Sequence, residues 1–249
     1  MALTFYQLTS AGDREVNQDF MAHKLSDNYA LFVVADGLGG HHGGEKASRF
    51  FCQGLLKNTD LYTKQLTQNP LAQNPVAVFS AWMTAAVNEM AVLFASDRAG
   101  HEAHTTCAIL YLDEQRVLTA HCGDSRVYRL NPQQIRWRTP DHSVPQELLD
   151  AGKISEQEMA QHPEQNQLTR TINILKAAEM EIKQYPRMEK GETFVLCSDG
   201  FWEYVKQTEF VHLAQPGSGK KELAKLAQLA IFRAHGKSDN VTVQWIRKD

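Results

Sequence analysis

Five aspartates, spread over most of the chain, sit in contexts typical of turns or strand ends: Asp19, Asp36, Asp124, Asp199 and Asp239. Three of them follow apolar runs, 29–35, 117–122 and 194–197, that are typical of buried strands. A carboxylate at the end of a core strand is held rigidly and partly out of water. Several such groups brought together would raise one another's pKa unless cations lay between them. The pattern predicts a carboxylate cage for hard divalent metal ions.

Each aspartate also has a simpler structural interpretation. The pairs Asp36-Gly37 and Asp199-Gly200 could be ordinary turns after strands, and Asp124 could accept hydrogen bonds from its own turn. The sequence around each residue, taken singly, leaves both interpretations open.

Composition bounds the class of protein. The chain has 249 residues, of which 43% are hydrophobic and 22% charged, with a net charge of −3. This near-neutral balance gives no reason to expect nucleic acid or an anionic membrane as the main partner. We expect no membrane span and no export signal, and the four separated cysteines are expected to be buried reduced thiols. A cytoplasmic protein is the resulting prediction.

Apolar periodicity separates the predicted strands from the predicted helices. Strands are expected over 4–9, 20–25, 29–35, 105–112, 116–122, 126–130, 135–138, 181–185, 194–198 and 241–246. Helices are expected over 44–58, 76–95, 201–204 and 220–235, and 59–75 is expected to be a surface connection. Since strands follow one another through short hairpins, antiparallel sheets covered by helices are favoured over a doubly wound parallel sheet. No linker marks a boundary, so one domain, 1–249, is expected.

These segments carry short motifs in a fixed order between residues 12 and 242. They are Gly12-x-Arg14-x-x-Asn17-Gln18-Asp19, Ala35-Asp36-Gly37-Leu38-Gly39-Gly40-His41, Gly123-Asp124-Ser125-Arg126, Asp141-His142, Leu168-Thr169-Arg170, Leu196-Cys197-Ser198-Asp199-Gly200 and Asp239-Asn240-Val241-Thr242. In this combination the chain closely resembles the metal-dependent serine/threonine protein phosphatases of the PPM/PP2C family, bacterial branch. The resemblance implies an α+β fold, a four-layer αββα sandwich whose two central antiparallel β-sheets are flanked by helices. It also implies a flap subdomain at about 141–173, expected to gate access to the site.

The resemblance assigns the ligands of two Mn²⁺ or Mg²⁺ ions. Asp36 would bridge the two ions. Asp19 and the carbonyl of Gly37 would serve one ion, and Asp199 and Asp239 the other. Asp124 resembles the ligand of a third, more weakly held ion.

The same resemblance implies how phosphate is bound and attacked. Arg14 would clamp the phosphate with its planar guanidinium, although a surface ion pair is the alternative. Asn240 would bind substrate by positioning a metal-bound water or a phosphate oxygen. A hydroxide held between the ions would attack phosphorus directly, and the final proton would come from His41 or from a metal-bound water.

The function expected from this resemblance is hydrolysis of phosphoserine and phosphothreonine on proteins, reversing a bacterial Ser/Thr kinase. The partners would be phosphorylated proteins and that kinase, and the protein is expected to be a monomer. Two alternatives stay open: the same chemistry on phosphorylated anti-anti-sigma proteins, and a non-catalytic binding module that keeps the fold.

Overall fold

Two antiparallel β-sheets lie face to face at the centre of the computed structural model, which describes residues 2–38, 43–68 and 74–248. The first sheet has the strand order β1 (Leu3–Ser10), β11 (Val241–Lys248), β10 (Thr193–Cys197), β7 (Arg126–Leu130) and β8 (Ile135–Arg138). The second has the order β2 (Asp19–Leu25), β3 (Tyr29–Leu38), β5 (Cys107–Asp113), β6 (Arg116–Cys122) and β9 (Glu181–Pro186), with β4 (His104–Thr105) paired to β3. All of these pairings are antiparallel.

The alternation of side chains along β3 shows how the layers are built. Phe32 and Val34 pack between the sheets, whereas Leu31 and Val33 point to the opposite side, into the cluster shared with the helices. Because both faces of β3 are covered, its sequence is a continuous apolar run rather than an alternating one.

Helices cover the outer face of each sheet. The second sheet is covered by α1 (Gly44–Lys57), α2 (Thr59–Gln68) and α3 (Pro75–Leu93). The first is covered by α6 (Asp199–Trp202), α7 (Gln207–His212) and α8 (Lys220–Arg233). The four-layer αββα sandwich expected from the sequence is confirmed.

The helix α2 corrects the prediction of a surface connection over 59–75 for residues 59–68, and residues 69–73 lie outside the described part of the chain. Its Tyr62 ring stacks on Trp82 of α3 with centroids 5.8 Å apart, and Thr63 and Leu66 are buried. The Gln- and Thr-rich composition concealed this spacing of three to four residues between inward-facing side chains. Two further helices differ from expectation, since α6 begins at Asp199 rather than at 201, and α7 was not predicted.

By length and composition alone, α3 is able to cross a membrane, whereas no membrane span is expected from the sequence. Its contacts place one face of α3 in the protein core. Phe79, Trp82, Ala86 and Met90 are fully buried in the cluster beneath the second sheet. Trp82 also donates its Nε1–H to Leu55 O of α1 at 2.9 Å.

The segment 141–173, called the flap here, contains α4 (Val144–Asp150) and α5 (Glu156–Met159). A capping box between Ser155 and Glu158 begins α5, and Met159 is buried against the first sheet's helices. The two ends of the flap are held together by a bridge between Ser143 and Leu168. The flap is therefore anchored at its base, next to the ends of β6 and β7.

Candidate metal centre

Asp19 and Asp36 lie directly opposite each other where β2 begins and β3 nears its end. Only 7% of Asp19 and 9% of Asp36 is exposed. Thr106 fixes the backbone of Asp36: its N–H donates to Asp36 O at 2.8 Å, and its Oγ1 accepts from Asp36 N at 3.1 Å. Since cross-strand neighbours on one face are close, this hairpin places two buried carboxylates side by side.

Ser198 ties Asp19 to the other sheet. Its Oγ donates to Asp19 Oδ2 at 2.7 Å and accepts from Thr242 N at 3.1 Å. The second oxygen, Asp19 Oδ1, is buried and has no hydrogen-bond partner in the described part of the chain. A buried carboxylate oxygen without a donor is well suited to contact a cation.

Asp199 and Asp239 come from the first sheet, where Asp199 begins α6 directly after β10 and Asp239 precedes β11. Each carboxylate accepts the next residue's N–H: Gly200 N at 2.6 Å from Asp199 Oδ1, and Asn240 N at 2.8 Å from Asp239 Oδ1. A Cβ on Gly200 would lie 2.2 Å from Asn240 O, so only glycine lets these two turns meet.

Close backbone approach also explains Gly37. Its N–H donates to Gln18 O at 3.1 Å, and a Cβ there would lie 2.0 Å from the carbonyl oxygen of Gly44 at the start of α1. A larger residue would push α1 away from β3. The candidate acid His41 and the neighbouring Gly39-Gly40 lie outside the described residues.

Asp124 is 5% exposed and lies in the turn between β6 and β7. Trp202 of α6 donates its Nε1–H to Asp124 O at 2.9 Å, which brings this turn against the helix that carries Asp199. Glu203, which was not predicted from the sequence, directly follows α6 and lies near Asp124 and Asp239. Burial, followed by Asp124 and Asp239, raises its pKa to about 8. Its spacing of four residues from Asp199 could have indicated this.

Burial and mutual repulsion raise the pKa values of Asp19, Asp36, Asp124 and Asp199. The pKa of Asp19 rises to about 6 and that of Asp124 to about 7, in both cases chiefly through burial. Burial also raises the pKa of Asp36 well above its usual range, and the other four aspartates raise it further. The pKa of Asp199 is raised by burial and then by Asp124. All five aspartates therefore converge, and their donor set of carboxylate oxygens fits hard divalent cations.

Arg14 reaches this cluster from its rim. Its Nη2 donates to Asp239 Oδ2 at 2.9 Å, while 59% of its side chain remains exposed. Arg14 is thus paired with a predicted ligand rather than with an unrelated surface acid.

Asn240, which the sequence predicts to bind substrate, has its side-chain amide engaged by backbone groups. Its Oδ1 accepts from Gln18 N at 2.7 Å, and its Nδ2 donates to Ala11 O and Val16 O, each at 3.0 Å. Both amide hydrogens are therefore used by backbone, and the side chain is 4% exposed. The amide holds the loop that carries Arg14 against the turn of Asp239, because the carbonyls of Ala11 and Val16 in this loop lie within hydrogen-bond distance of Nδ2.

Arg126 and Asp141 form a second buried feature to which sequence reasoning gave no role. The Arg126 guanidinium donates Nε and Nη2 to the two Asp141 oxygens at 2.7 and 2.6 Å. It also lies 3.3 Å from the centroid of the Trp202 ring. This pair joins the base of the flap to α6. The motifs Gly-Asp-Ser-Arg and Asp-His contain both residues, but nothing in the sequence shows that they meet.

The fold and this site define a class. A profile of the family described as Protein phosphatase 2C matches residues 10–219. The chain belongs to this family, as its motifs predicted.

The relatives are serine/threonine phosphatases. The serine/threonine phosphatase stp of Listeria monocytogenes is 31% identical over 226 residues, which cover 90% of this chain and 86% of the relative. PhpP of Streptococcus pneumoniae is 28% identical over 95% of this chain and 94% of its own. The predicted enzyme class, a protein-serine/threonine phosphatase, is confirmed.

Solved structures agree with the fold. PstP/Ppp of Mycobacterium tuberculosis superposes over 100% of both chains with a TM-score of 0.81 and 25% identity. Stp1 of Staphylococcus aureus covers 100% of this chain and 96% of its own, with a TM-score of 0.81 and 27% identity. A PstP catalytic domain in complex with two manganese ions gives a TM-score of 0.76 and 24% identity over 99% of both chains.

Proposed function

We propose that this phosphatase hydrolyses phosphoserine and phosphothreonine on proteins with Mn²⁺ or Mg²⁺ held by its aspartates. The observation that carries the proposal is the convergence of five carboxylates, each of which neighbours others in the cluster. Three of them, Asp19, Asp36 and Asp124, are buried, and carboxylates so arranged are unfavourable unless they are protonated or neutralised by cations. The PstP domain that shares this fold is described with two manganese ions.

Asp19, Asp36, Asp199 and Asp239, with the Gly37 carbonyl, would hold two ions, and Asp124 a third. Asp36 is the natural shared ligand, because the other four aspartates all raise its pKa. When bound, the ions would neutralise phosphoryl oxygens and lower the pKa of a coordinated water.

Arg14 supplies the fixed positive charge that holds the substrate's phosphate. One N–H group of its guanidinium is engaged by Asp239, and the exposed remainder is available to two phosphoryl oxygens. Asn240 acts on substrate only indirectly, through the backbone of the loop that it holds. Ser198 keeps Asp19 Oδ2 oriented, while Oδ1, which is buried and has no hydrogen-bond partner among the described residues, is left for a cation.

Protein substrates have room beside the metal centre. A cavity of about 960 Å³ lies between α5 of the flap and the α6–α7 region, and its lining includes Glu156, Trp202, Tyr204 and Lys206. Trp202 and Glu203 connect this cavity to the metal centre, since Trp202 ends the helix α6 that Asp199 begins and Glu203 follows it directly. We assign it to the segment that flanks the phosphorylated residue.

We also propose a setting for the enzyme, which its similarity to bacterial phosphatases supports. A single catalytic domain over 1–249, working as a cytoplasmic monomer, would reverse the action of a cognate Ser/Thr kinase. The notable alternative, a non-catalytic binding module, is disfavoured because every predicted acid reaches the cluster.

The test measures phosphate release from a phosphothreonine peptide with Mn²⁺, with Mg²⁺ and with EDTA. The variants Asp36→Asn and Asp199→Asn should lose activity by a factor of about 100 or more, because each removes a charge that the cations need. Asp60→Asn, at an exposed aspartate on α2, is the matched control and should retain activity. Full activity in EDTA, or in Asp36→Asn, would overturn the proposal.

A further inference from the structure

His142, at the base of the flap, contacts the turn of Asp124 through both its backbone and its ring. Its N–H donates to Gly123 O at 2.9 Å, and Gly123 N donates back to His142 Nδ1 at 3.2 Å. Its carbonyl accepts from Thr169 N, at the other end of the flap, at 2.8 Å. One residue therefore joins both ends of the flap to the residue that precedes Asp124.

The ring of His142 is fixed in orientation and in tautomer. It is 7% exposed and stacks on His121, with centroids 4.7 Å apart and planes 8° apart. Because Nδ1 accepts a backbone N–H, the neutral ring carries its proton on Nε2. Burial, with the charge of Arg170, lowers the pKa of His142, which favours this neutral form.

His121, His142 and Glu181 could be taken for a separate metal site, since their donor atoms lie within 4.8 Å of one another. The hydrogen bonds argue against it. His142 Nε2 holds the proton, so it has no lone pair to offer while Nδ1 serves Gly123. Lys183 Nζ already lies 2.6 Å from Glu181 Oε1, so a further cation there would be repelled. The cluster therefore serves to hold the ring.

The position of the Gly123 backbone affects the proposed metal ligands on both sides of it. Gly123 has φ = 89°, a left-handed conformation, and a Cβ there would lie 2.6 Å from Thr106 Cγ2. The same Thr106 holds Asp36 N through Oγ1 and lies 2.7 Å from Ser125 Oγ. A shift at Gly123 would therefore move Asp124 directly and Asp36 through Thr106.

We propose that His142 is a positioning residue, whose Nδ1 fixes the Gly123–Asp124 turn and thereby couples the flap to metal binding. The inference rests on the proposed function, because it requires that Asp124 and Asp36 hold cations. The inference gives the base of the flap a role in positioning the metal ligands, which is separate from metal coordination itself.

Three variants separate positioning from bulk packing. His142→Asn places an amide oxygen near the position of Nδ1, so it keeps an acceptor for Gly123 N. His142→Leu keeps a similar volume but removes the acceptor. His212→Leu makes the same substitution at an exposed histidine on α7. Mn²⁺ binding by titration calorimetry, phosphate release against Mn²⁺ concentration, and thermal melting are measured for each.

The leucine variant should need about 10-fold more Mn²⁺ for half-saturation and should lose about 10-fold in kcat, as expected when an outer hydrogen bond to a metal site is removed. His142→Asn should stay within about 3-fold of wild type in both quantities, since the acceptor is kept. His212→Leu should match wild type. If His142→Leu does not fold, His142→Gln, whose amide extends past the Nδ1 position, gives the same comparison with His142→Asn.

Two results would overturn the inference: a leucine variant whose folded fraction binds Mn²⁺ as wild type does, or an asparagine variant as impaired as the leucine one. Failure of the proposed function has a different signature. In that case the wild-type protein would bind no Mn²⁺, or Asp36→Asn would remain active, and the inference would fall with it.

Discussion

Arg14 Nη2 lies 2.9 Å from Asp239 Oδ2, so the proposed phosphate clamp and a proposed metal ligand form an ion pair at the rim of the site. Both side chains remain partly exposed, 59% for Arg14 and 42% for Asp239, and an ion pair this exposed contributes little to stability. The pair is therefore better explained by function: it aims the guanidinium toward the place where phosphate would meet the cations.

Removing the guanidinium should weaken catalysis rather than folding. Arg14→Ala is expected to lower kcat/KM by about 10- to 100-fold, since hydrogen bonds to charged groups contribute about 1.5–3 kcal/mol. Arg14→Lys should recover only part of this loss, because an ammonium lacks the planar fork. Steady-state kinetics on a phosphothreonine peptide check both. Arg187→Ala, at an exposed arginine after β9, is the control, and an equal loss there would count against the clamp.

Ser198 should affect metal affinity although it is not proposed as a ligand. Its hydroxyl donates to Asp19 Oδ2 and is fully buried. Ser198→Ala leaves that oxygen without its donor, so we expect about 10-fold weaker Mn²⁺ binding. Calorimetric titration measures the change, and Ser80→Ala, on the exposed side of α3, is the control. Unchanged Mn²⁺ affinity in Ser198→Ala would show that the hydroxyl serves packing alone.

The acid cluster should make the metal-free protein less stable as pH rises. The pKa of Asp124 is about 7 in the folded protein, above its ordinary value of 3.8, so the folded state binds the proton more tightly than the unfolded state. That stabilisation is present at low pH and is lost as pH rises through about 7. In EDTA, Asp124→Asn should therefore melt above wild type at pH 8, by on the order of 5 °C, with the difference vanishing toward pH 4.

Melting curves of the two proteins from pH 4 to pH 8 provide the measurement. Saturating Mn²⁺ should reverse the order at pH 8, because the wild type then gains binding energy that the variant partly lacks. Parallel curves at all pH values would mean that Asp124 is not held among other charges.

The sequence predicted the sandwich well because its strands are covered on both faces. An apolar run such as 29–35 ending in Asp36 has few other interpretations, and hairpin spacing favours antiparallel pairing. Prediction failed for α2, where Tyr62 and Leu66 pack inward from a polar segment. These side chains are buried because α3 packs against α2, and the local composition of 59–68 does not show that contact.

The candidate site was predicted only as far as residue type determines role. Carboxylates next to strand ends have few uses once several converge, so the five aspartates could be predicted as one cluster. The amide of Asn240 binds backbone as readily as phosphate, and the choice depends on where the Arg14 loop passes. The Arg126–Asp141 pair needed the packing of Trp202 on α6 against the flap base, which arises from contacts distant in sequence.

The buried pair of Arg126 and Asp141 gives the sharpest stability prediction. Its side chains are 3% and 2% exposed, and the two carboxylate oxygens accept from Nε and Nη2. Asp141→Leu leaves a buried guanidinium without its main partner and should lower the free energy of unfolding by about 3–5 kcal/mol. Urea denaturation of the protein in EDTA measures this loss without the contribution of bound cations.

The double variant Arg126→Met, Asp141→Leu tests whether the pair serves stability or geometry. Since apolar replacement of a buried ion pair is often neutral for stability, the double variant should regain most of the unfolding free energy. It should still lose phosphatase activity by about 10-fold or more, because the guanidinium no longer holds Trp202 and the flap base in place. A double variant as active as wild type would show that the pair has no part in shaping the site. A double variant as unstable as Asp141→Leu would show that packing around Trp202 needs the Arg126 guanidinium itself.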